Sequence, residues 1–447
     1  MKTSTALSVT VIAVASATVA WYASAARYGG SVGPLAMASE SCRFGISPDF
    51  PARPIEEDAT GARSDLEPVA PFLEKGIAWL VQAQHPGGGW GAGAHAKRKI
   101  RDPQAFVTDP ATTALVGLAL IRAGHTPAAG KYRDTTRKAV AHLVRLIEEF
   151  PAEGPRITSL TGTQPQRKLG PEVDTPLAVQ FLSRVVAELP GADELKPRVD
   201  AALAKCITKL QNSQHKDGSW GNHGWASVLH SSFGCNALEL ASAVGASVDK
   251  SKLDNAQLYQ EKNFSGSSGR ADARDSAGVE LYAFSASQRA GAGKTRAAER
   301  LLKEAKRKGD VRADAPVSKS TLTAAGLNEK TSELLARAHS NTEAQLARLD
   351  DETLLKGFGS NGGEEFLSYM LTSESLVITG GELWKKWNAK MHTRLANIQN
   401  PDGSWTGHHC ITSPVFCTAA VALCLTANRD AALLEKVSER EIASATR

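Results

Sequence analysis

Aromatic side chains make up only 6% of this chain, and beyond residue 22 no apolar run is long enough to cross a bilayer. The first scarcity argues against a pocket walled by rings. The second argues against a multi-span membrane protein. Cysteine is sparse as well, at six in 447 residues. Cys206, Cys235, Cys417 and Cys424 fall in apolar helical runs, where a thiol behaves as a small core residue. Cys410 and Cys417 lie close in sequence, but spacing alone does not make a disulfide. Neither sign of charge dominates: 52 basic and 47 acidic side chains leave a net +5, too mild a balance to point to nucleic acid. Lys294 to Arg312 is locally basic and reads as a solvated outer helix with its turn. Gly291-Ala292-Gly293-Lys294-Thr295 hints at a phosphate loop and fails, because Gln288 stands where its first Gly is required.

What the chain does have is a segment written three times. Lys75 to Trp90, Lys205 to Trp220 and Lys390 to Trp405 share one spacing, K-x4-L-x3-Q-x3-G-x-W. The fixed positions are Gln84, Gly88 and Trp90, then Gln214, Gly218 and Trp220, then Gln399, Gly403 and Trp405. An internal pattern of this kind marks a repeat architecture. Ile77, Leu80, Val81 and Gln84 recur at helical spacing, so an amphipathic helix precedes each turn. Gly ends that helix because it enters left-handed backbone without steric cost. The Trp is expected to pack beside its own Gln and tie one unit to the next.

After each turn comes a run apolar nearly all round: Thr112 to Leu120, Phe233 to Leu240 and Cys417 to Leu425. Such a helix is a buried one. The unit is therefore an outer amphipathic helix followed by an inner buried helix. The three Trp positions lie 130 and 185 residues apart, which leaves room for three further units of about 60 residues. Worn copies with Phe in place of Trp are expected at Phe150 to Gly154 before Asp174–Leu189, at Phe264 to Gly269 before Asp275–Gln288, and at Phe358 to Gly363 before Glu364–Ile378. Six hairpins with parallel inner helices predict an all-α fold, an α6/α6 toroid; an open solenoid is the competing architecture.

Lys2, the mildly apolar stretch Ala6 to Tyr22 and Ala23-Ser24-Ala25 have the layout of a secretory signal. The expectation is an exported protein, with 1–26 a cleaved signal peptide in preference to an anchor, and 6–22 an alternative membrane tether. Residues 27–70, rich in Pro, Gly and Ser, read as a flexible linker, 71–430 as the toroid and 431–447 as a helical tail that completes the last outer layer or frays.

Parallel inner helices would gather their N-termini at one mouth, where backbone N–H groups favour acids. Asp109, Asp174, Asp275 and the pair Glu364 and Glu365 stand at four expected inner starts, and His230-Ser231 and His408-His409-Cys410 at the other two. Each acid is either a helix cap or a member of a catalytic carboxylate ring. Phe366 and Tyr369, next to Glu364 and Glu365, form the most ligand-like patch, or else core aromatics.

The three K-x4-L-x3-Q-x3-G-x-W copies resemble the QW repeats of the squalene and oxidosqualene cyclases, and are similar to those of the protein prenyltransferase β-subunits. The resemblance covers about residues 70 to 430 and implies the α/α toroid those families share. It does not extend to their chemistry. The cyclases' acidic D-x-D-D is absent, the nearest run being Leu349-Asp350-Asp351-Glu352. The prenyltransferases' zinc ligands would be an Asp and a Cys two residues apart plus a later His. Here Asp275 is followed two places on by Ala277, and Phe416-Cys417-Thr418 carries Cys where the family carries His. A different zinc site from His408, His409, Cys410 and Asp275 is the remaining metal candidate; otherwise no cofactor is expected. The resulting expectation is an exported toroid that binds a hydrophobic small molecule, peptide or protein, not nucleic acid, without cyclising it. An isoprenoid-processing enzyme with a nonstandard site is the alternative, and a toroidal glycan-active enzyme a third.

Overall fold

The computed structural model describes residues 68–221 and 224–445. The expectations for 1–26, and for 27–70 except its last three residues, lie outside them. In chain order the helices are α1 (Pro71–Gln82), α2 (Pro110–Arg122), α3 (Arg133–Glu149), the short α4 (Gln164–Lys168), α5 (Asp174–Glu188), α6 (Lys196–Asn212), α7 (Ser227–Ala243), α8 (Lys250–Lys262), α9 (Glu280–Lys308), the short α10 (Lys319–Ala324), α11 (Glu329–Leu346), the single turn α12 (Glu352–Leu355), α13 (Gly363–Thr379), α14 (Glu382–Ala396), α15 (Pro414–Leu425) and α16 (Ala431–Ala445). A two-stranded antiparallel hairpin, β1 (Phe264–Ser265) with β2 (Arg270–Ala271), sits before α9. No single described helix is long and apolar enough to cross a membrane.

Six helices form a closed ring. Contacts run from α2 to α5, to α7, to α9, to α13, to α15, and from α15 back to α2. That last contact excludes the open solenoid, so the fold is an all-α α6/α6 toroid. Every residue of α2 and of α15 is buried, as their uniformly apolar sequences require. The outer helices bury one stripe: in α3 it is Thr136, Ala139, Val140, Leu143, Val144 and Ile147. Each fully buried Leu, Ile or Val contributes about 1.5–3 kcal/mol.

The outer helices pack in an order the sequence did not indicate. Most lie behind the inner helix that precedes them, α3 on α2, α6 on α5, α11 on α9 and α14 on α13, while α8 packs on α7 and α9 alike. The outer partner of α15 is therefore α1, from the other end of the chain. This leaves no outer position for the tail. α16 packs instead against the inner helices α7, α9 and α13, which corrects the expectation that it completes the outer layer. The basic stretch from Lys294 is a second correction. It is the continuation of inner helix α9, and Lys294 is buried against Glu261.

The repeated residues are joints. Each indole N–H donates to the carbonyl of the Leu in its own helix: Trp90 to Leu80 at 2.8 Å, Trp220 to Leu210 at 2.9 Å, Trp405 to Leu395 at 2.8 Å. The hydrogen-bonded link to the next unit is made by the Gln, and at the last joint the Trp405 ring packs on the next outer helix as well, against Phe72. Gln84 donates to Gly88 and to Thr135 of α3, Gln214 to Gly218 and to Lys252 of α8, Gln399 to Gly403 and to Phe72 of α1. The Gly of each joint has φ near +100° (96°, 94° and 101°), and a Cβ there would strike the next outer helix at Lys138, Asn255 or Lys75. The repeat Lys reaches backward: Lys75 donates to Pro401, Lys205 to Ile147 and Lys390 to Leu349. In the worn units the Phe does not stand in for Trp throughout. Phe264 is buried, Phe150 is half-buried and Phe358 is exposed.

Candidate functional site

Neighbouring inner helices meet start to start, which places their N-termini at one mouth. Ala111 N–H in α2 donates to Asp174 at the head of α5, Ala226 N–H before α7 donates to the Lys168 carbonyl, Tyr282 in α9 donates to Glu365 in α13, and Gly363 N–H donates to the Ile411 carbonyl before α15. Gln164, first residue of α4, ties together the segments that lead into the neighbouring helices α5, α2 and α15. Its amide donates to the Ala92 carbonyl, and its oxygen accepts from Thr412 and Ser413 N–H.

Asp109 and Asp174 are spent on this framework. Asp109 caps α2, accepting from Thr112 N–H at 2.7 Å and from Ala92 N–H at 2.8 Å. Asp174 accepts from Ala111 N–H at 3.0 Å and from the Gln166 amide at 2.7 Å, so it caps its neighbour's helix. Burial, and then the charge of Asp109, pushes Asp174 up to about 7; burial also raises Asp109. Asp275 is not part of the ring. It lies exposed in the 3₁₀ turn Arg274–Ser276, five residues before α9 begins, and accepts from the Tyr259 hydroxyl at 2.8 Å.

Glu364 and Glu365 do lie together at the mouth, both fully buried in the first turn of α13. Glu364 accepts from Ile411 N–H at 3.2 Å. Glu365 accepts from the Tyr282 hydroxyl at 2.6 Å and from Phe358 N–H at 2.9 Å, and His409 Nε2 approaches it at 3.6 Å. Burial first, and then the neighbouring Glu365, pushes Glu364 up to about 8, so it keeps its proton at neutral pH. Burial lowers His409 against the pull of Glu365. The dyad is thus a protonated acid beside a hydrogen-bonded one, chemically able to donate a proton.

The zinc expectation fails geometrically. His408 is exposed, Cys410 is buried with φ +55°, Asp275 is elsewhere, and no group of three ligating side chains converges among the described residues. The described cysteines are free and buried, and burial pushes the Cys410 thiol up to about 12. His230 lies inside α7, not ahead of it, with burial pushing it down to about 3. Phe366 and Tyr369 are core aromatics: the Tyr369 hydroxyl donates to the Leu355 carbonyl at 2.6 Å.

Sequence reasoning missed two features. The first is a row of rings on the rim. Trp225 and Phe358 meet edge to face at 6.2 Å, Phe358 and His409 at 5.1 Å, and Lys168 Nζ lies 4.8 Å over Trp225. The available signal was that Trp225 belongs to no repeat joint. The second is a chain of buried ion pairs toward the opposite end. It runs Glu239–Arg289 (2.8 Å), Arg289–Glu374 (3.0 Å), Glu374–Arg122 (2.7 Å), Arg122–Asp430 (2.7 Å) and Asp430–Arg184 (2.8 Å). Burial opposes the charge on Asp430, but Arg184 and Arg122 outweigh it and hold the carboxyl below its ordinary range. The signal here was charge inside apolar runs, Arg122 after Leu120 and Glu239 within Phe233–Leu240.

No protein-family model and no curated protein matches the chain. Among solved structures it is similar to the type II terpene cyclase MstE from Scytonema, at 14% identity and a TM-score of 0.32, over 81% of this chain and 98% of that one. A substituted form of that enzyme, in complex with its product merosterolic acid A, matches at 14% identity and 0.31, over 81% and 96%. The superposition is loose, and the fold rests instead on the closed ring of contacts. By that ring and its joints the chain is an all-α α6/α6 toroid.

Proposed function

We propose that this protein is an exported toroidal binding scaffold that engages a partner through its surface and does not cyclise a terpenoid in its barrel. One observation carries the reading: the buried chain Glu239–Arg289–Glu374–Arg122–Asp430–Arg184. Five of these residues come from five different inner helices, α7, α9, α13, α2 and α5, so the chain crosses the interior that a hydrocarbon substrate would need. Fixed charges there disfavour an apolar chain, and burying them is tolerable only while each stays paired. Three clefts of about 230, 410 and 670 Å³ are lined by the outside of α9 and α11, by the β1–β2 hairpin with α11, and by the turn around Asp402 together with Arg101, Asn361 and His408 at the mouth. Native mass spectrometry of the purified protein, with incubation against polyprenyl alkenes and diphosphates, tests the reading. Bare protein and unchanged substrate are expected; a co-purified isoprenoid or a cyclised product would sink it.

A second reading draws on the acid dyad. A protonated Glu364 beside Glu365 and Tyr282 is the group an isoprenoid-processing enzyme would use to protonate an alkene. On that reading Glu364→Gln abolishes turnover of the same substrates; on the scaffold reading there is no turnover to abolish.

A further inference from the structure

The rim carries more than a row of rings. Of the five large apolar side chains exposed among the described residues, Ile100, Val107, Trp225 and Phe358 are all at this end. They share it with the exposed run Lys97-Arg98-Lys99-Ile100-Arg101 and with Arg167 and Lys168 at the end of α4. Hydrogen bonds hold these segments side by side: His95 N–H donates to the Gly162 carbonyl, the Arg101 guanidinium to the Thr412 carbonyl, and Ala226 N–H to the Lys168 carbonyl. His95 lies among Lys168, Arg98 and Arg167, and its Nδ1 has no partner. Among the described residues no carboxylate pairs with Arg98, Arg167 or Lys168; the nearby acid Glu364 is buried and protonated. The basic stretch from Lys294 is the contrast, because its Lys294, Arg296, Arg300, Arg307 and Arg312 all have acidic partners.

We propose that this mouth docks an acidic polypeptide segment of a partner protein. An aromatic or aliphatic side chain of that segment would seat on the Trp225–Phe358–His409 row, with flanking carboxylates on Arg98, Arg167 and Lys168. The inference rests on the scaffold reading and supplies its partner chemistry. Charge complementarity selects an anionic partner. The condition of the rings selects a polypeptide over a lipid surface. Trp225 is 42% exposed but clamped, with Lys168 over one face and Phe358 edge-on, and its neighbour Ala226 is bonded to the Lys168 carbonyl. A ring held in that way is a preformed slot and not a wedge free to insert among acyl chains. Trp and Arg in such slots are the residues that dominate protein interfaces.

The test uses the full-length protein and a fluorescently labelled random copolymer of Glu and Tyr, read by anisotropy. Poly-Glu and vesicles of phosphatidylserine and phosphatidylcholine serve as comparators. The copolymer is expected to bind more tightly than poly-Glu and to weaken with salt, since exposed charges are screened. Trp225→Ala and Phe358→Ala should each weaken it about tenfold, with Trp225→Phe largely restoring it. Arg98→Glu with Lys168→Glu should abolish it, with melting temperature unchanged in every variant. The inference is overturned if the copolymer binds no better than poly-Glu, if Trp225→Ala leaves binding intact, or if vesicles bind and the copolymer does not. Failure here with no isoprenoid bound leaves the scaffold reading standing; isoprenoid turnover removes both.

Discussion

Gln399 donates one amide hydrogen to the carbonyl of Phe72 at 2.7 Å, across 327 residues of chain. The same amide donates to Gly403 at 2.7 Å. Gln84 and Gln214 make the equivalent pair of bonds to the next outer helix. At Gln399 the next outer helix is the first one, so this joint closes the ring. Trp405 works at the same seam, with Phe72 edge-on to its ring at 6.1 Å.

Gln399→Ala should therefore destabilise the whole fold and not only the last hairpin. Two half-buried hydrogen bonds are lost and two carbonyls are left without that donor, a cost of about 1–3 kcal/mol. Urea unfolding checks this. A change within error would mean that the ring closes by side-chain packing alone.

Gly76→Ala is expected to go against helix propensity. In a helix interior, Ala for Gly ordinarily gains about 1 kcal/mol. A Cβ on Gly76 would stand 2.6 Å from the Trp405 ring and 3.1 Å from the Gly403 carbonyl, so the substitution should push the first and last units apart. The expected sign is destabilising, by about 1–3 kcal/mol. A raised melting temperature would contradict the seam geometry.

Glu364→Gln should alter the pH dependence of stability. The folded carboxyl is raised to about 8 from an ordinary 4.5, chiefly by burial. Its stabilising contribution is full below pH 4.5 and is lost as pH rises through 8, because only the unfolded chain releases the proton. The variant cannot ionise, so its advantage over the parent should grow across that window in urea titrations. Asp174, raised to about 7, contributes to the slope that remains, together with the buried His125 and His230, which burial lowers to about 4 and about 3. Parallel stability curves would show that Glu364 ionises as freely in the fold as outside it.

Asp430→Asn should be among the most damaging single changes away from the joints. Asp430 neutralises both Arg122 and Arg184, and all three are buried. Removing one member of a buried pair costs about 3–5 kcal/mol, and the lower end applies here because Arg122 keeps Glu374 and Arg184 keeps Glu188. In the parent the depressed Asp430 carboxyl contributes stability above its ordinary pKa, and that contribution is lost as acid protonates it. The variant should therefore lose its deficit at low pH. A small effect at neutral pH would place water or mobility at this end of the barrel.

Much of the toroid was legible because its signals are local. Leu, Gln, Gly and Trp at fixed spacing specify a helix, a left-handed stop and a ring to bury, and an uninterrupted apolar run specifies an inner helix. The acids at the mouth were only half legible. Asp109 and Glu364 sit where the repeat places inner starts. Asp275 was misplaced because a 3₁₀ turn and Gly278 separate it from α9. The rim row was hidden because Phe358 looked like a worn Trp, and nothing in its neighbours shows that it stays exposed.

The sequence by itself determined the alternation of outer and inner helices, the number of units and the residues of the three repeat joints, since those depend on neighbours within a few turns. Only the tertiary structure decided which helix backs which. It set α1 behind α15, α16 across the inner helices, and Arg122 against Asp430, 308 residues away. An apolar stripe states that a face is buried but not against what. In a ring, the choice of partner is made by the last contact to close.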